Sequence, residues 1–165
     1  MQDKVSIKNI DDVDWKEGGN GKKFKHRRKN LTMDFSSNKM VTSLYEIPPG
    51  KSNYPLHYHT ANEEIFFILK GKGKLRTSEG EFDIKAGDYL RFPASPHGAH
   101  QLINTSDEPL HYLDVGTTEQ PDVVVYPDSN KVGVFAGSAP GQNPENSVFK
   151  KYFKIETNTD YWKDE

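Results

Sequence analysis

Cysteine is absent from the 165 residues, which excludes disulfide bonds and thiolate metal ligands. Long apolar stretches are also missing, because the longest run, Ile65–Leu69, has five residues, whereas a transmembrane helix needs roughly 20. The opening segment, MQDKVSIKNIDDVDWKEG, lacks the apolar core of a signal peptide. We therefore expect a cytoplasmic protein without a membrane span or a membrane partner.

An excess of charge of either sign is missing too. The 22 Lys and Arg residues nearly balance 24 Asp and Glu residues, and the net charge is -2. No global field attracts nucleic acid, so we expect no nucleic-acid partner. One basic segment, Lys22–Lys29, is of the kind that holds a phosphate or a nucleic-acid backbone. Because acidic residues precede it, we interpret this segment as a solvated loop.

The middle of the chain alternates short apolar segments with turn signals. Segments such as VTSLYEI, IFFIL, EFDIK and LHYLDV each end at a Gly or Pro cluster. Short strands at roughly ten-residue spacing are typical of an all-β sandwich or barrel, and no helical apolar period interrupts them. The pattern predicts an all-β domain at residues 40–125, with an N-terminal extension at residues 1–39 that packs on it and a C-terminal extension at residues 126–165.

The C-terminal extension has three distinct parts. Residues Gly137–Pro144 are rich in Gly, Pro and Asn, a composition typical of a mobile loop. The following segment, VFKKYFKI, is either one more strand or a short helix. The closing Asp160–Trp162 has the character of a docked tail.

Two histidines two positions apart are the strongest chemical signal. His57 and His59 lie on one face if this segment is a strand, because side chains alternate along a strand. A carboxylate follows at Glu63 or Glu64, and the apolar run Ile65–Leu69 after it predicts a buried strand. Two imidazoles and a carboxylate that converge can bind a divalent first-row metal with coordination positions left open.

A second group of residues lies downstream. Gly87 and Pro93 frame the short segment DYLRF, and His97, His100 and Asn104 follow. His100, on the next predicted strand, can reach back toward His57 and His59 across a small barrel. The segments Gly50–Gly71 and Gly87–Asn104 together resemble the two sequence motifs of the cupin superfamily. The short spacing between them is similar to that of small bacterial single-domain conserved-barrel cupins.

This resemblance implies a double-stranded β-helix with a metal held by three histidines and one glutamate: His57, His59, Glu64 and His100. Glu64 rather than Glu63 matches the motif, because it lies seven positions before Gly71. His100 lies two residues later after Pro93 than the motif has it, so His97 stays open as an alternative ligand. Asn104 matches the motif asparagine, which we interpret as a structural hydrogen-bonding residue.

The expected cofactor is one divalent transition metal: Mn, Fe, Ni, Co or Zn. An octahedral ion with these ligands keeps two adjacent positions for a chelating substrate. We therefore expect a metal-dependent isomerase or lyase acting on a small sugar or hydroxy acid. A non-haem dioxygenase and a non-catalytic ligand-binding or sensor protein stay open. Three residues are candidate lining residues near the metal: Tyr45, Arg91 and Gln101. Cupins commonly pair through barrel faces, which predicts a homodimer.

Overall fold

The computed structural model of the chain describes residues 5–32 and 39–164. Within these ranges the regular structure consists of β-strands and short 3-10 turns, and there is no α-helix. None of the described helical turns is long or apolar enough to cross a membrane. The strands are β1 (Lys16–Gly19), β2 (Lys25–Asn30), β3 (Met40–Ile47), β4 (Tyr58–His59), β5 (Glu64–Lys70), β6 (Lys72–Thr77), β7 (Gly80–Lys85), β8 (Tyr89–Phe92), β9 (His100–Ile103), β10 (Leu110–Thr117), β11 (Asp122–Tyr126), β12 (Lys131–Ala136) and β13 (Phe149–Lys154).

The strands form two antiparallel layers. One is a six-stranded sheet in the order β1-β2-β3-β10-β5-β8. The other combines a four-stranded sheet, β13-β12-β11-β4, with a three-stranded sheet, β7-β6-β9. A backbone bridge between His57 and His100 joins these two smaller sheets. The all-β prediction is confirmed.

The apolar core lies between the two layers. Large side chains from β3, β5 and β10 pack against Ile84 of β7 and Leu102 of β9. Strand β5 shows how the pleat divides its residues: Phe66 and Ile68 are buried, whereas Phe67 and Leu69 are 41% and 46% exposed. The prediction that Ile65–Leu69 is a buried strand is therefore half wrong. An antiparallel strand in the outer wall of a small barrel has a solvent face as well as a core face.

The basic segment is not a solvated loop, and that interpretation is wrong. Residues Lys25–Asn30 form β2, which pairs with both β1 and β3 of the large sheet. Within it His26 and Lys29 are buried. Arg27 forms an ion pair with Glu46 of β3 at 2.7 Å, and Lys29 donates to the Ile10 carbonyl, so neither cation pairs with the acidic side chains around Asp11–Asp14 in the described structure.

The C-terminal part extends the smaller layer. The segment VFKKYFKI contains β13, which pairs with β12, so the strand alternative is the one observed. The loop 137–144 packs on the protein, because Ser138 and Ala139 are buried and the Asn30 side chain donates to the Gly141 carbonyl. The prediction of a docked tail is wrong for the single chain, because Tyr161 and Trp162 are 82% and 75% exposed.

Strands on both sides of the predicted barrel join its sheets. β1 and β2 precede residue 40 and extend the large sheet, and β12 and β13 follow β11 in the smaller layer. The division into residues 1–39, 40–125 and 126–165 stays a prediction.

Candidate metal centre

Three histidines meet at the point where the two sheets of the smaller layer are joined. His57 precedes β4, His59 ends β4, and His100 opens β9. The backbone amide of His100 donates to the His57 carbonyl at 2.9 Å, and the amide of His57 donates to the His100 carbonyl at 3.3 Å. This pairing brings the His57 and His100 ring centroids to 4.7 Å.

Glu64 completes the group from the opposite layer. Its Oε2 atom lies 3.5 Å from Nε2 of His59 and 3.3 Å from Nε2 of His100. Ligand atoms of His57, His59 and Glu64 all lie within 4.8 Å of one another. The structure thus brings together the four residues that the sequence resemblance implied.

The other candidates lie elsewhere. His97 is exposed on the 3-10 turn Pro96–Gly98. Glu63 points outward and accepts from the Arg91 guanidinium at 3.0 Å. Parity decides the choice between the adjacent glutamates, because Glu64 shares the inward face of β5 with Phe66. Asn104 is fully buried and donates to two backbone carbonyls, the structural part expected of it.

The three imidazoles are oriented by a second set of contacts. Each Nδ1 atom faces an oxygen acceptor, at 2.9 Å for His57, 2.5 Å for His59 and 2.9 Å for His100. A proton on Nδ1 leaves the lone pair on Nε2, which is the atom turned toward Glu64 in His59 and His100. The acceptors are the Pro55 carbonyl, the Asp122 carboxylate and the Gly98 carbonyl.

Asp122 is a site residue that sequence reasoning missed. Its side chain is fully buried, and its second oxygen accepts from the Ala61 amide at 3.1 Å. Asp122 follows His59 by 63 positions and belongs to no local pattern with it. Only the pairing of β11 with β4 places the two side chains together.

Two polar atoms at the centre have no hydrogen-bond partner in the described part of the chain. They are Oε2 of Glu64 and Nε2 of His100, both fully buried. A buried polar atom left unsatisfied costs about 1–3 kcal/mol, so such a pair calls for an explanation. A divalent cation between them would satisfy both lone pairs, and the donor set of imidazole nitrogens and one carboxylate suits a first-row metal. The residues present therefore fit a metal ion.

The shifted pKa values of His57 and Glu64 also suit metal binding, because they keep both groups free of protons. Burial, and next the neighbouring His100, lower the pKa of His57 to about 3. Burial alone would raise the pKa of Glu64, but the surrounding histidines, His59 first, lower it to about 2. The pKa of His59 is raised despite burial, because Glu64 and then Asp122 favour its cation. An incoming metal ion would have to displace that proton.

The centre opens into a cavity of about 520 Å³. His57, His59 and Glu64 line it, together with Tyr45 from β3 and Asp114 from β10. Burial, and next the Glu64 charge, raise the pKa of Asp114 well above its usual range. Of the other candidate lining residues, Arg91 is exposed and Gln101 is buried against the Tyr54 carbonyl.

The family model of the cupin domain matches residues 43–116. The crystal structure of a sugar phosphate isomerase from a cupin superfamily, from Silicibacter pomeroyi, superposes with a TM-score of 0.77. That match covers 92% of this chain and 94% of the other at 19% identity. The chain belongs to the cupin superfamily. The prediction of a double-stranded β-helix is confirmed for this cupin.

Two further relatives carry higher identity. A protein from Acidithiobacillus ferrooxidans, considered a candidate sugar phosphate isomerase, is 26% identical, with a TM-score of 0.69 over 82% of this cupin and 80% of that chain. The glucose-6-phosphate isomerase of Pyrococcus abyssi is 36% identical over 84 residues, which cover 46% of this cupin and 43% of the relative. The chain spans about half the length of the curated relatives it matches.

Proposed function

We propose that this cupin is a metal-dependent isomerase or lyase for a small sugar or hydroxy acid that chelates the metal. One divalent ion, Mn, Fe, Co, Ni or Zn, would be held by the four converging side chains: His57, His59, Glu64 and His100. The observation that carries the proposal is the pair of buried, unpartnered ligand atoms, Glu64 Oε2 and His100 Nε2, among imidazoles whose Nδ1 atoms are already engaged.

The chemistry follows from the donor set and the cavity. A bound divalent ion supplies polarisation of a substrate oxygen. Isomerisation of a sugar or hydroxy acid also needs a group that takes a proton from carbon and returns it. Asp114 is our candidate for that group, because it lines the same cavity as His57, His59 and Glu64.

The relatives support isomerase chemistry in particular. Both the glucose-6-phosphate isomerase of Pyrococcus abyssi and the Acidithiobacillus ferrooxidans protein carry that activity in their names. The shared segment of the former includes about half of each chain, so its activity comes to this cupin only as a proposal.

Metal analysis of untagged protein, purified without chelator, tests the proposal. We expect about one equivalent of metal per chain, lost in the double variant H57A/H59A while the β-type circular dichroism spectrum is retained. Turnover of sugars, sugar phosphates or hydroxy acids by the Mn, Ni, Co or Zn form would support isomerase or lyase activity. One equivalent of iron with substrate-dependent O₂ uptake would favour the dioxygenase alternative. Failure to bind metal after reconstitution would overturn the proposal in favour of a non-catalytic binding protein.

We also propose that the protein is a homodimer. Exposed aromatic side chains cluster at the C-terminal end: Phe149 and Phe153 on β13, then Tyr161 and Trp162. Phe149 and Phe153 stack on one face of that strand with ring centroids 6.4 Å apart, and a second copy would remove this surface from water. Light scattering at micromolar concentration is expected to give twice the chain mass, and a monomer would contradict the proposal. Cytoplasmic location stays a prediction.

A further inference from the structure

The cavity at the metal centre has a cationic wall that the metal ligands do not explain. Four basic side chains line it: Lys16 of β1, Arg28 of β2, Lys131 of β12 and Lys150 of β13. All four lie outside residues 43–116, the segment that the cupin family model matches. Within the described ranges none of the four forms an ion pair with a carboxylate, although Glu17 and Asp114 also line the cavity.

Arg28 is the best placed of these cations. Strand alternation sends its neighbour Arg27 to the other face, where it pairs with Glu46, and turns Arg28 into the cavity. The Arg28 guanidinium is half-buried, and its Nη1 donates to the Tyr45 hydroxyl at 3.4 Å. A guanidinium has five N–H donors, so this contact leaves most of them for another acceptor.

The support behind Arg28 is rigid. The Tyr45 hydroxyl lies 3.2 Å from the Tyr54 hydroxyl, and the Tyr45 ring stacks on Tyr112 at 5.0 Å between centroids. A fork of donors held in place by packed aromatic rings is suited to a bidentate oxyanion.

The surrounding charges favour a multiply charged anion. Lys131 lies over the Tyr126 ring at 4.6 Å, and Lys150 lies over the Phe135 ring at 5.6 Å, so both ammonium groups sit against cavity-lining aromatics. Glu17, Glu64 and Asp114 also line the cavity, and the four cations outnumber these three carboxylates. Several cations around one cavity suit a phosphate, which carries up to two charges, better than a single carboxylate.

We propose that Arg28 binds the phosphate group of a small sugar phosphate whose sugar oxygens reach the metal centre, with Lys131 and Lys150 adding to the attraction. This inference rests on the proposed function, because it places the substrate's anionic end in the same cavity. It adds a specificity-determining residue from the N-terminal hairpin β1–β2.

Isothermal titration of the full chain with inorganic phosphate tests this inference without requiring turnover. We expect the parent to bind phosphate saturably. In Arg28→Met the affinity should fall at least tenfold, which is on the order of one lost charge-assisted hydrogen bond. The phosphate affinity of Arg28→Lys should fall between those of the parent and Arg28→Met, because an ammonium keeps the charge but loses the bidentate fork. Arg27→Met is the matched control: the same change on the same strand, on the opposite face, which should bind phosphate as the parent does.

Four outcomes would overturn the inference. They are absence of saturable phosphate binding, unchanged affinity in Arg28→Met, an equal loss in Arg27→Met, and acetate binding as tightly as phosphate. Phosphate held only by the metal would bind Arg28→Met as tightly as the parent, and this binding would vanish in H57A/H59A. Phosphate bound at Arg28 would instead keep its affinity in H57A/H59A. Phosphate binding at Arg28 in a protein that turns over no sugar phosphate would sustain the inference and contradict the proposed activity.

Discussion

The buried Asp122–His59 contact offers a sharp test of how the candidate metal centre is built. The Asp122 carboxylate accepts from His59 Nδ1 at 2.5 Å and from the Ala61 amide at 3.1 Å. In Asp122→Asn the side chain keeps its shape but loses its charge. The new amide can also turn its NH₂ group toward His59, which would favour the imidazole tautomer with the proton on Nε2. That proton would occupy the lone pair that faces Glu64.

The size of the effect can be bounded from these contacts. Loss of a carboxylate behind a metal-ligating histidine typically lowers metal affinity about 10- to 100-fold. A hydrogen bond to a charged group contributes about 1.5–3 kcal/mol, and Asp122 is fully buried, so little solvent screening reduces that value. We therefore expect the metal-free Asp122→Asn protein to lose stability on the order of 1.5–3 kcal/mol while it still folds.

Competition with a chromophoric zinc chelator measures the affinity, and urea unfolding of the metal-free protein measures the stability. Asp128→Asn is the matched control: the Asp128 carboxylate is partly exposed and pairs with Arg76 at 2.6 Å, outside the cavity lining. The control should bind zinc as the parent does. Affinity within twofold of the parent in Asp122→Asn, with an unchanged spectrum, would refute the idea that this carboxylate orients His59.

Four other substitutions test separate parts of the structure. His100→Ala should abolish stoichiometric metal binding, whereas His97→Ala, which removes an exposed imidazole, should leave it unchanged by metal analysis; the reverse would make His97 the ligand. Leu102→Ala, at a fully buried core position, should lower the free energy of unfolding by about 2–5 kcal/mol in urea melts, and a loss under 1 kcal/mol would mean that the core there is loosely packed. Gly98→Ala should reduce both stability and metal affinity, because an added Cβ would lie 2.0 Å from the Pro93 carbonyl oxygen in the turn that leads to His100. Stability and metal affinity equal to those of the parent would show that the turn adjusts freely.

Features that repeat along the chain were predictable from it. The spacing of Gly and Pro clusters indicates short strands, since these residues end strands for reasons of backbone geometry. The two-residue period of a strand places His57 and His59 on one side. The same period separates Glu64, at the cavity, from Glu63, which faces Arg91. In each case the residues compared with one another lie within a few positions along the chain.

Features that depend on pairing between distant strands were not predictable. Most of the basic segment forms β2, because it pairs with β3 of the large sheet. No local signal distinguishes such a strand from a charged loop. The outward positions of Phe67 and Leu69 depend on which side of β5 the second layer covers. The tail residues Tyr161 and Trp162 stay exposed, because no described part of the chain covers them.

The sequence by itself determined the all-β class, because strand period and turn chemistry are local properties. Its resemblance to the two cupin motifs supplied the four residues of the candidate metal centre. Only the tertiary structure decided that Asp122 supports His59, that Asp114 faces the cavity and that Arg28 stands in its wall. The cited contacts join residues 63 and 17 positions apart, and they exist because antiparallel pairing and burial of the shared core bring those strands together. Chain order carries no record of which distant strands will meet.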